Sequence, residues 1–221
     1  MNMKLSVPDE FNRNAPVVAA LGAENTGATI MDRAAERLGL RDLDGKDILD
    51  IGCGVRFTQT ILNRDIPIGT YTGIDNFKPL IDFLQAEVRD PRFTFAWWDV
   101  HNGQYHPDGR AMTSYDALPV TGEFDIIWLF SVFTHLVPED SRALLKLMRR
   151  YSRDDGALVF TAFITDDVTA YENRGPLPAI HAHYGEDYFR SFIEAAGWRV
   201  QSLDPASDEH HVQNLFVCRP D

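Results

Sequence analysis

Short apolar runs alternate with amphipathic segments along most of this chain, and that order constrains the fold more than any other feature. Asp47 to Ile51 is a short apolar run closed by Gly52 and reads as a buried strand; Thr58 to Asn63 continues as a helix. Thr70 to Ile74 reads as a strand, and Pro79 to Arg89 as a helix with proline in its first turn. Arg92 to Trp98 is β-rich, and Phe124 to Phe130 is a second buried strand. Pro138 to Tyr151 is a helix whose apolar face carries Leu144, Leu145 and Met148; Ala157 to Phe163 is a strand. Glu186 to Ala196 is a helix stopped by Gly197. Upstream of all these, Gly27 to Leu40 places Ile30, Ala34 and Leu38 at helical spacing. Strands that alternate with helices predict an α/β fold with helices on both faces of a mostly parallel sheet.

The last two strands, Trp198 to Leu203 and Val212 to Cys218, have no helix between them. They are expected to pair antiparallel, with the final strand inserted beside parallel neighbours. Seven strands then make one Rossmann-like sheet whose last strand is antiparallel. Two long stretches break the pattern, His101 to Gly122 and Ile164 to Gly185. Connections this long are usually functional, and loops after strand C-termini surround the ligand crevice of an open α/β sheet. Both stretches are therefore read as acceptor-side walls of a single domain spanning residues 1–221.

Charge narrows the partners. The 221 residues hold 33 acids against 21 bases, a formal net charge of −12. Such a chain repels phosphate backbones, so neither nucleic acid nor an anionic membrane is expected as a partner. No stretch approaches 18 apolar residues, and the N-terminal residues have no apolar core suited to a signal peptide. Cys53 and Cys218 are too few for a disulfide framework. Two free thiols and a cytoplasmic location are the expectation.

The densest chemical signal is ILDIGCG at 48–54, with Asp75 at the end of the next strand, 21 residues after Gly54. Glycines at a strand-to-helix turn let a backbone approach a ligand closely, and an acid at the second strand's tip can take both hydroxyls of a ribose. The third glycine of a dinucleotide turn is missing, because Val55-Arg56-Phe57 follows. That argues against a nicotinamide cofactor.

With these residues in place the sequence resembles the class I S-adenosylmethionine-dependent methyltransferases. LDIGCG at 49–54 matches the first motif, YTGID at 71–75 the second, WWDV at 97–100 the third and FDIIWLFSVFTHL at 124–136 the fourth; AAGW at 195–198 matches the turn before the sixth strand. The fourth is similar to a bacterial small-molecule subgroup with an SVFTHL segment. The resemblance implies S-adenosylmethionine as cofactor, bound by Asp50, Gly52, Gly54, Arg56, Asp75, Asn76, Phe77, Asp99, Val100 and Phe130. In that pattern Asp75 holds the ribose, Asp99 faces the adenine amino group and the Val100 amide faces the ring. Each has a plainer alternative: Asp50 as a strand-end acid bonded to nearby amides, Asp99 as a loop cap, Phe77 as core. Arg56 either reaches the methionine carboxylate or crowds it.

The segment after the fourth strand limits the acceptor. It lacks the Asn/Asp-Pro-Pro-Tyr/Phe of amide and adenine methylases, a strand-end acid for magnesium, and a cysteine for cytosine C5 chemistry. Metal-independent O-methylation of a small molecule, a sugar or natural-product hydroxyl, is the expectation. N-methylation of an amine and a non-catalytic cofactor-binding module remain as alternatives. His181-x-His183 and His210-His211 lack a completing acid or cysteine, so no metal is expected. His135, just past the fourth strand, is the candidate base; its alternative is to shape the loop. Tyr105, Tyr115, Tyr171 and Tyr184 either line an apolar acceptor pocket or pack the two long stretches down.

Overall fold

The computed structural model describes residues 4–12, 16–176, 181–206 and 213–221. Its strands are β1 (Asp47–Ile51), β2 (Thr70–Asp75), β3 (Phe93–Trp97), β4 (Phe124–Leu129), β5 (Ser152–Ile164), β6 (Tyr171–Asn173), β7 (Ala182–Tyr184), β8 (Trp198–Asp204) and β9 (Asn214–Pro220). The first five run parallel in the order β3-β2-β1-β4-β5. β9 lies antiparallel against β5, and β8 antiparallel against β9. This is the expected seven-stranded sheet. The order reverses between β1 and β4, the place where open α/β sheets form a crevice beyond their strand ends.

The central strands β1 and β4 are buried almost end to end because both faces of the sheet are covered there. Successive side chains point to opposite sides, so Ile48 and Leu49 enter different cores. On one face α2 (Ala23–Arg37), α3 (Arg56–Arg64) and α4 (Lys78–Glu87) bring Met31, Ile61 and Leu84 against Ile48, Trp128 and Val159. On the other, α5 (Pro138–Arg149) and α6 (Glu186–Ala195) bring Leu144 and Phe189 against Leu49, Ile127 and Phe160. Phe160 of β5 stacks on Phe216 of β9, with centroids 4.8 Å apart and planes 7° from parallel. The α5 sequence suits its ends: Pro138 opens the helix, Glu139 and Asp140 fill its first turn, and Lys146 and Arg149 its last.

Three elements differ from the expectation. The first helix begins at Ala23 rather than Gly27, and a short helix, α1 (Pro16–Leu21), precedes it. Upstream, Leu5 and Phe11 are buried, with Phe11 stacked on Phe83 of α4 at 4.8 Å. Two isolated apolar residues have no periodicity to read; only their docking on α3 and α4 gives them a place. β5 begins at Ser152, five residues early, and its pairing to β4 shifts register between Phe124 and Ile126. Finally, 164–185 is not irregular throughout. β5 outruns its neighbours, and its last residues, Phe163 and Ile164, carry β7, which pairs with β6.

Candidate active site

The β1–α3 turn has an unusual backbone. Gly52 and Gly54 have φ of +72° and +50°, and the amides of Gly52 and Cys53 both donate to the Ile74 carbonyl at 2.8 and 3.0 Å. A Cβ on Gly52 would lie 2.7 Å from Val132 Cγ2, so the turn packs directly against the segment after β4. A Cβ on Gly54 would meet no atom within 4 Å. Val55 caps α3 and Arg56 is its first residue. The helix therefore starts where the family's third glycine is expected, and Arg56 enters the site from that first turn.

A cavity of about 480 Å³ opens over this turn at the β1/β4 reversal, a size suited to a nucleoside-bearing small molecule. Among the sequence candidates, Asp50, Gly52, Gly54, Arg56, Asp75, Asn76, Val100, Phe130 and His135 line it. Phe77 and Asp99 do not. Phe77 packs toward Phe11, with centroids 6.4 Å apart, and its amide donates to Asp75 Oδ1 at 2.9 Å. Asp99 turns outward, and its Oδ1 lies 2.7 Å from His106 Nε2.

Asp75 is buried, and its second oxygen accepts from the Gly54 amide at 3.1 Å. Two backbone donors thus hold one carboxyl at the cavity wall in one orientation. Asp50 is deeper. Burial pushes its pKa up to about 7, against the pull of the hydrogen bond from Tyr71 and of the Arg56 charge. Burial lowers the Arg56 pKa, while the Asp50 charge raises it. An acid and a guanidinium thus share the β1 end of the cavity. On the other side, Phe130 packs between Phe57 and Trp128 at 5.0 and 5.9 Å.

His135 ends a 3₁₀ turn, Phe133–His135, set by Pro138 and the β4 end. Its ring meets Tyr105 edge-on at 6.0 Å, and Asn102 Nδ2 donates to its carbonyl at 3.5 Å. Of the four tyrosines in the long stretches, Tyr105 alone lines the cavity. Tyr115 donates to the Asp99 carbonyl, Tyr184 to the Leu136 carbonyl, and Tyr171 packs on Tyr184. These three pack the connections down.

The cavity also takes residues that sequence reasoning missed: Phe11 and Val18 from the N-terminal segment, Trp98, Ser131, and Gln213 beside β9. Ser131 has φ of +62°, and its hydroxyl exchanges hydrogen bonds with the Gln213 amide. No spacing rule joins residues 82 positions apart. Among the described residues no group of three or more His, Cys, Asp or Glu is arranged to hold a metal. His210 and His211 lie outside the described residues. Also among the described residues, no helix is long and apolar enough to cross a membrane. Cys53 and Cys218 form no disulfide, and both are buried.

The fold and the glycine turn define a nucleotide-type α/β site, and comparison with known proteins gives its family. A family model described as a methyltransferase domain matches residues 24–203, and the chain belongs to that family. Trans-aconitate 2-methyltransferase of Enterobacter sp. (strain 638) is 28% identical over 178 residues, covering 77% of this chain and 64% of that protein. The chain thus spans less than two thirds of that relative's length. Among solved structures, the glycopeptide N-methyltransferase MtfA complexed with S-adenosyl-L-homocysteine superposes with a TM-score of 0.63 at 14% identity, covering 93% of this chain and 96% of that one. Magnesium protoporphyrin IX methyltransferase from Synechocystis PCC 6803 with bound SAM gives 0.61 at 13% identity, covering 95% and 86%. Both likenesses are of fold.

Proposed function

We propose that this chain transfers a methyl group from S-adenosylmethionine to a hydroxyl of an uncharged small molecule, without a metal. The observation that carries this reading is the convergence of the open Gly54 backbone, the anchored Asp75 carboxylate, the Asp50–Arg56 pair and His135 on one cavity. The residues present suit the cofactor. Gly54 leaves room for close approach, Asp75 suits ribose hydroxyls, and the opposite charges of Asp50 and Arg56 suit the ammonium and carboxylate of an amino acid.

When bound, the sulfonium supplies an activated methyl group, so the protein's work is alignment and exclusion of water. Asp75 and Arg56 anchor the two ends of the cofactor. Phe130 and Val132 shield the β4 side. His135 accepts the hydroxyl proton on an imidazole nitrogen as the oxygen attacks. Arg56 is the one lysine or arginine lining the cavity among the described residues. If it holds the methionine carboxylate, no strong cation remains for a polycarboxylate acceptor of the kind the curated relative is named for. The His101 to Gly122 and Ile164 to Gly185 connections contribute Tyr105 and His181 to the acceptor walls of one domain. The net charge of −12 favours a free metabolite over a nucleic acid.

Calorimetry with S-adenosylhomocysteine tests the reading. Wild type should bind, and Asp75→Ala should lose two charge-assisted hydrogen bonds, each worth roughly 1.5–3 kcal/mol. Unchanged affinity in the variant removes Asp75 from the site, and NAD binding in place of the homocysteine removes the cofactor assignment.

A further inference from the structure

Ser131, the second residue past β4, and Asp65 are the non-glycine residues with positive φ among the described residues. Asp65 ends α3 in the left-handed conformation, an ordinary use of it. Ser131, at +62°, ends no helix. Its backbone is fixed on both sides. Its amide donates to Thr161 Oγ1 of β5 at 2.9 Å, and its carbonyl accepts from the Thr134 hydroxyl at 2.9 Å. Strain held this firmly aims a side chain, and such strain gathers where ligands are gripped.

The side chain is aimed at Gln213. Its hydroxyl donates to Gln213 Oε1 at 3.2 Å and accepts from Nε2 at 2.9 Å. Gln213 stands immediately before β9, where Asn214 pairs with Ala162 of β5 and its Oδ1 accepts from the Ile164 amide at 3.1 Å. Ser131 is exposed, Gln213 is half-buried, and both line the cavity. A primary amide brings two N–H donors and a hydroxyl one. Their mutual contact uses one of each, so one Gln213 N–H stays unspent whichever way the amide is turned. The pair carries no charge.

The rest of this side of the cavity is aromatic. Phe163, two residues along β5 from Thr161, and His181 line it. His183 stacks on the Phe163 ring at 4.7 Å, 10° from parallel, and is itself held to Thr165 Oγ1 at 2.8 Å. His181 meets the same ring edge-on at 6.3 Å. Among the described residues, the acids that line the cavity are Asp50 and Asp75, at the ends of β1 and β2. The β5 side therefore offers an aromatic wall and a neutral hydrogen-bonding pair. It has no carboxylate to hold an ammonium and no arginine or lysine to hold an anion.

Resting on the methyl-transfer reading above, we propose that Ser131 and Gln213 select the acceptor: the pair binds a second, neutral oxygen of a ring-shaped molecule that lies against Phe163, and so positions the hydroxyl that is methylated. An ether, carbonyl or hydroxyl oxygen accepts the spare Gln213 N–H. A hydroxyl serves both ways, because the Ser131 oxygen keeps a lone pair. Oxygenated aryl rings and sugar rings share this chemistry.

The test measures S-adenosylhomocysteine release by wild type, Ser131→Gly and Gln213→Glu with two matched pairs of probes: catechol against phenol, and methyl glucoside against its 2-deoxy analogue. Wild type should prefer the oxygen-richer member of one pair, and that pair names the kind of ring. In Ser131→Gly the positive φ is accepted without strain. Its preference in kcat/KM should fall roughly three- to tenfold, mainly through KM. Its melting temperature should stay near wild type, and its S-adenosylhomocysteine affinity within about twofold. Gln213→Glu keeps the shape but replaces the N–H donor with an oxygen, and should lower the preference at least as far. An unaltered preference in both variants overturns the inference, because a pair that only closes the chain changes the melting temperature and leaves discrimination alone. Wild type that binds S-adenosylhomocysteine but prefers neither oxygen-rich probe overturns it too, and leaves the cofactor reading standing. Calorimetry before any acceptor is added reads the separate outcome: no binding of S-adenosylhomocysteine removes the cofactor reading, and this inference with it.

Discussion

The Tyr71 hydroxyl donates to Asp50 Oδ2 at 2.5 Å inside the sheet, where solvent does not reach either residue. The bond favours the carboxylate, yet burial outweighs it and lifts the Asp50 pKa to about 7. An acid whose folded pKa exceeds its unfolded value of roughly 3.9 stabilises the fold fully below that value and loses the contribution as pH rises through the folded pKa. At neutral pH the ionised Asp50 is therefore in deficit, and a ligand ammonium beside it would relieve the deficit. Affinity for S-adenosylhomocysteine should rise with pH through about 7, with proton release on binding. Asp50→Asn should bind more weakly and show no such slope, and its melting temperature should fall less than that of wild type between pH 5 and 8. Calorimetry in buffers of different ionisation heat measures the proton release, and a flat wild-type profile contradicts the coupling.

In the proposed site Arg56 acts on both the ligand and Asp50. Arg56→Ala should weaken S-adenosylhomocysteine binding by at least about tenfold, from loss of a hydrogen bond to a charged group. Adenosine, which lacks the amino-acid end, should bind within about twofold of wild type. Because the Arg56 charge lowers the Asp50 pKa, the midpoint of the pH profile should also move upward. Equal losses for both ligands would mean that the variant disturbs the turn rather than one contact.

The two turn glycines should fail in different ways. Gly52→Ala forces a side chain into φ of +72°, with its Cβ 2.7 Å from the stiff Val132. The strain alone is roughly 1–2 kcal/mol, and melting temperature and binding should fall together. Shortening the neighbour, in Gly52→Ala with Val132→Ala, should restore part of both. Gly54→Ala meets no atom within 4 Å. It should cost less stability and still impair binding, because in the proposed site the space it fills is the cofactor's. Thermal melts paired with binding isotherms separate the two cases.

Replacing His135 tests which kind of acceptor the proposed site takes. For an alcohol, His135→Ala should lower turnover roughly 100- to 10,000-fold, leave S-adenosylhomocysteine affinity near normal, and flatten the acid side of the pH–rate profile. For an amine, whose lone pair needs no base, turnover should be almost retained. The pH–rate profile of the variant, on an acceptor found by screening, decides between O- and N-methylation.

Much of the central sheet could be read from the chain. Runs such as FDIIWLF and the glycines that close them are local signals, because a strand buried on both faces must be apolar along its length. Asp75 and the glycine turn are legible for the same reason: their 21-residue separation is one strand–helix–strand unit. The hairpin of β6 and β7 was not, since three-residue strands carry too little periodicity and are held in the sheet only where β5 extends far enough to pair with β7.

By itself, the sequence determined the α/β class, most of the strands and helices, and the group of residues at the ends of β1 and β2. All of these follow from patterns within a few dozen residues. Tertiary structure alone decided which way the groups face. Trp98 and Asp99 are neighbours in the chain, but the folding back of 101–110 sends one into the cavity and pairs the other with His106. Phe11 and Gln213 reach the same cavity from opposite ends of the chain. The pKa of Asp50 belongs to this level too, because it is set by burial among residues that the sequence does not place beside it. Local pattern encodes elements, whereas the direction of a side chain and the water around it depend on contacts that form only when distant elements pack.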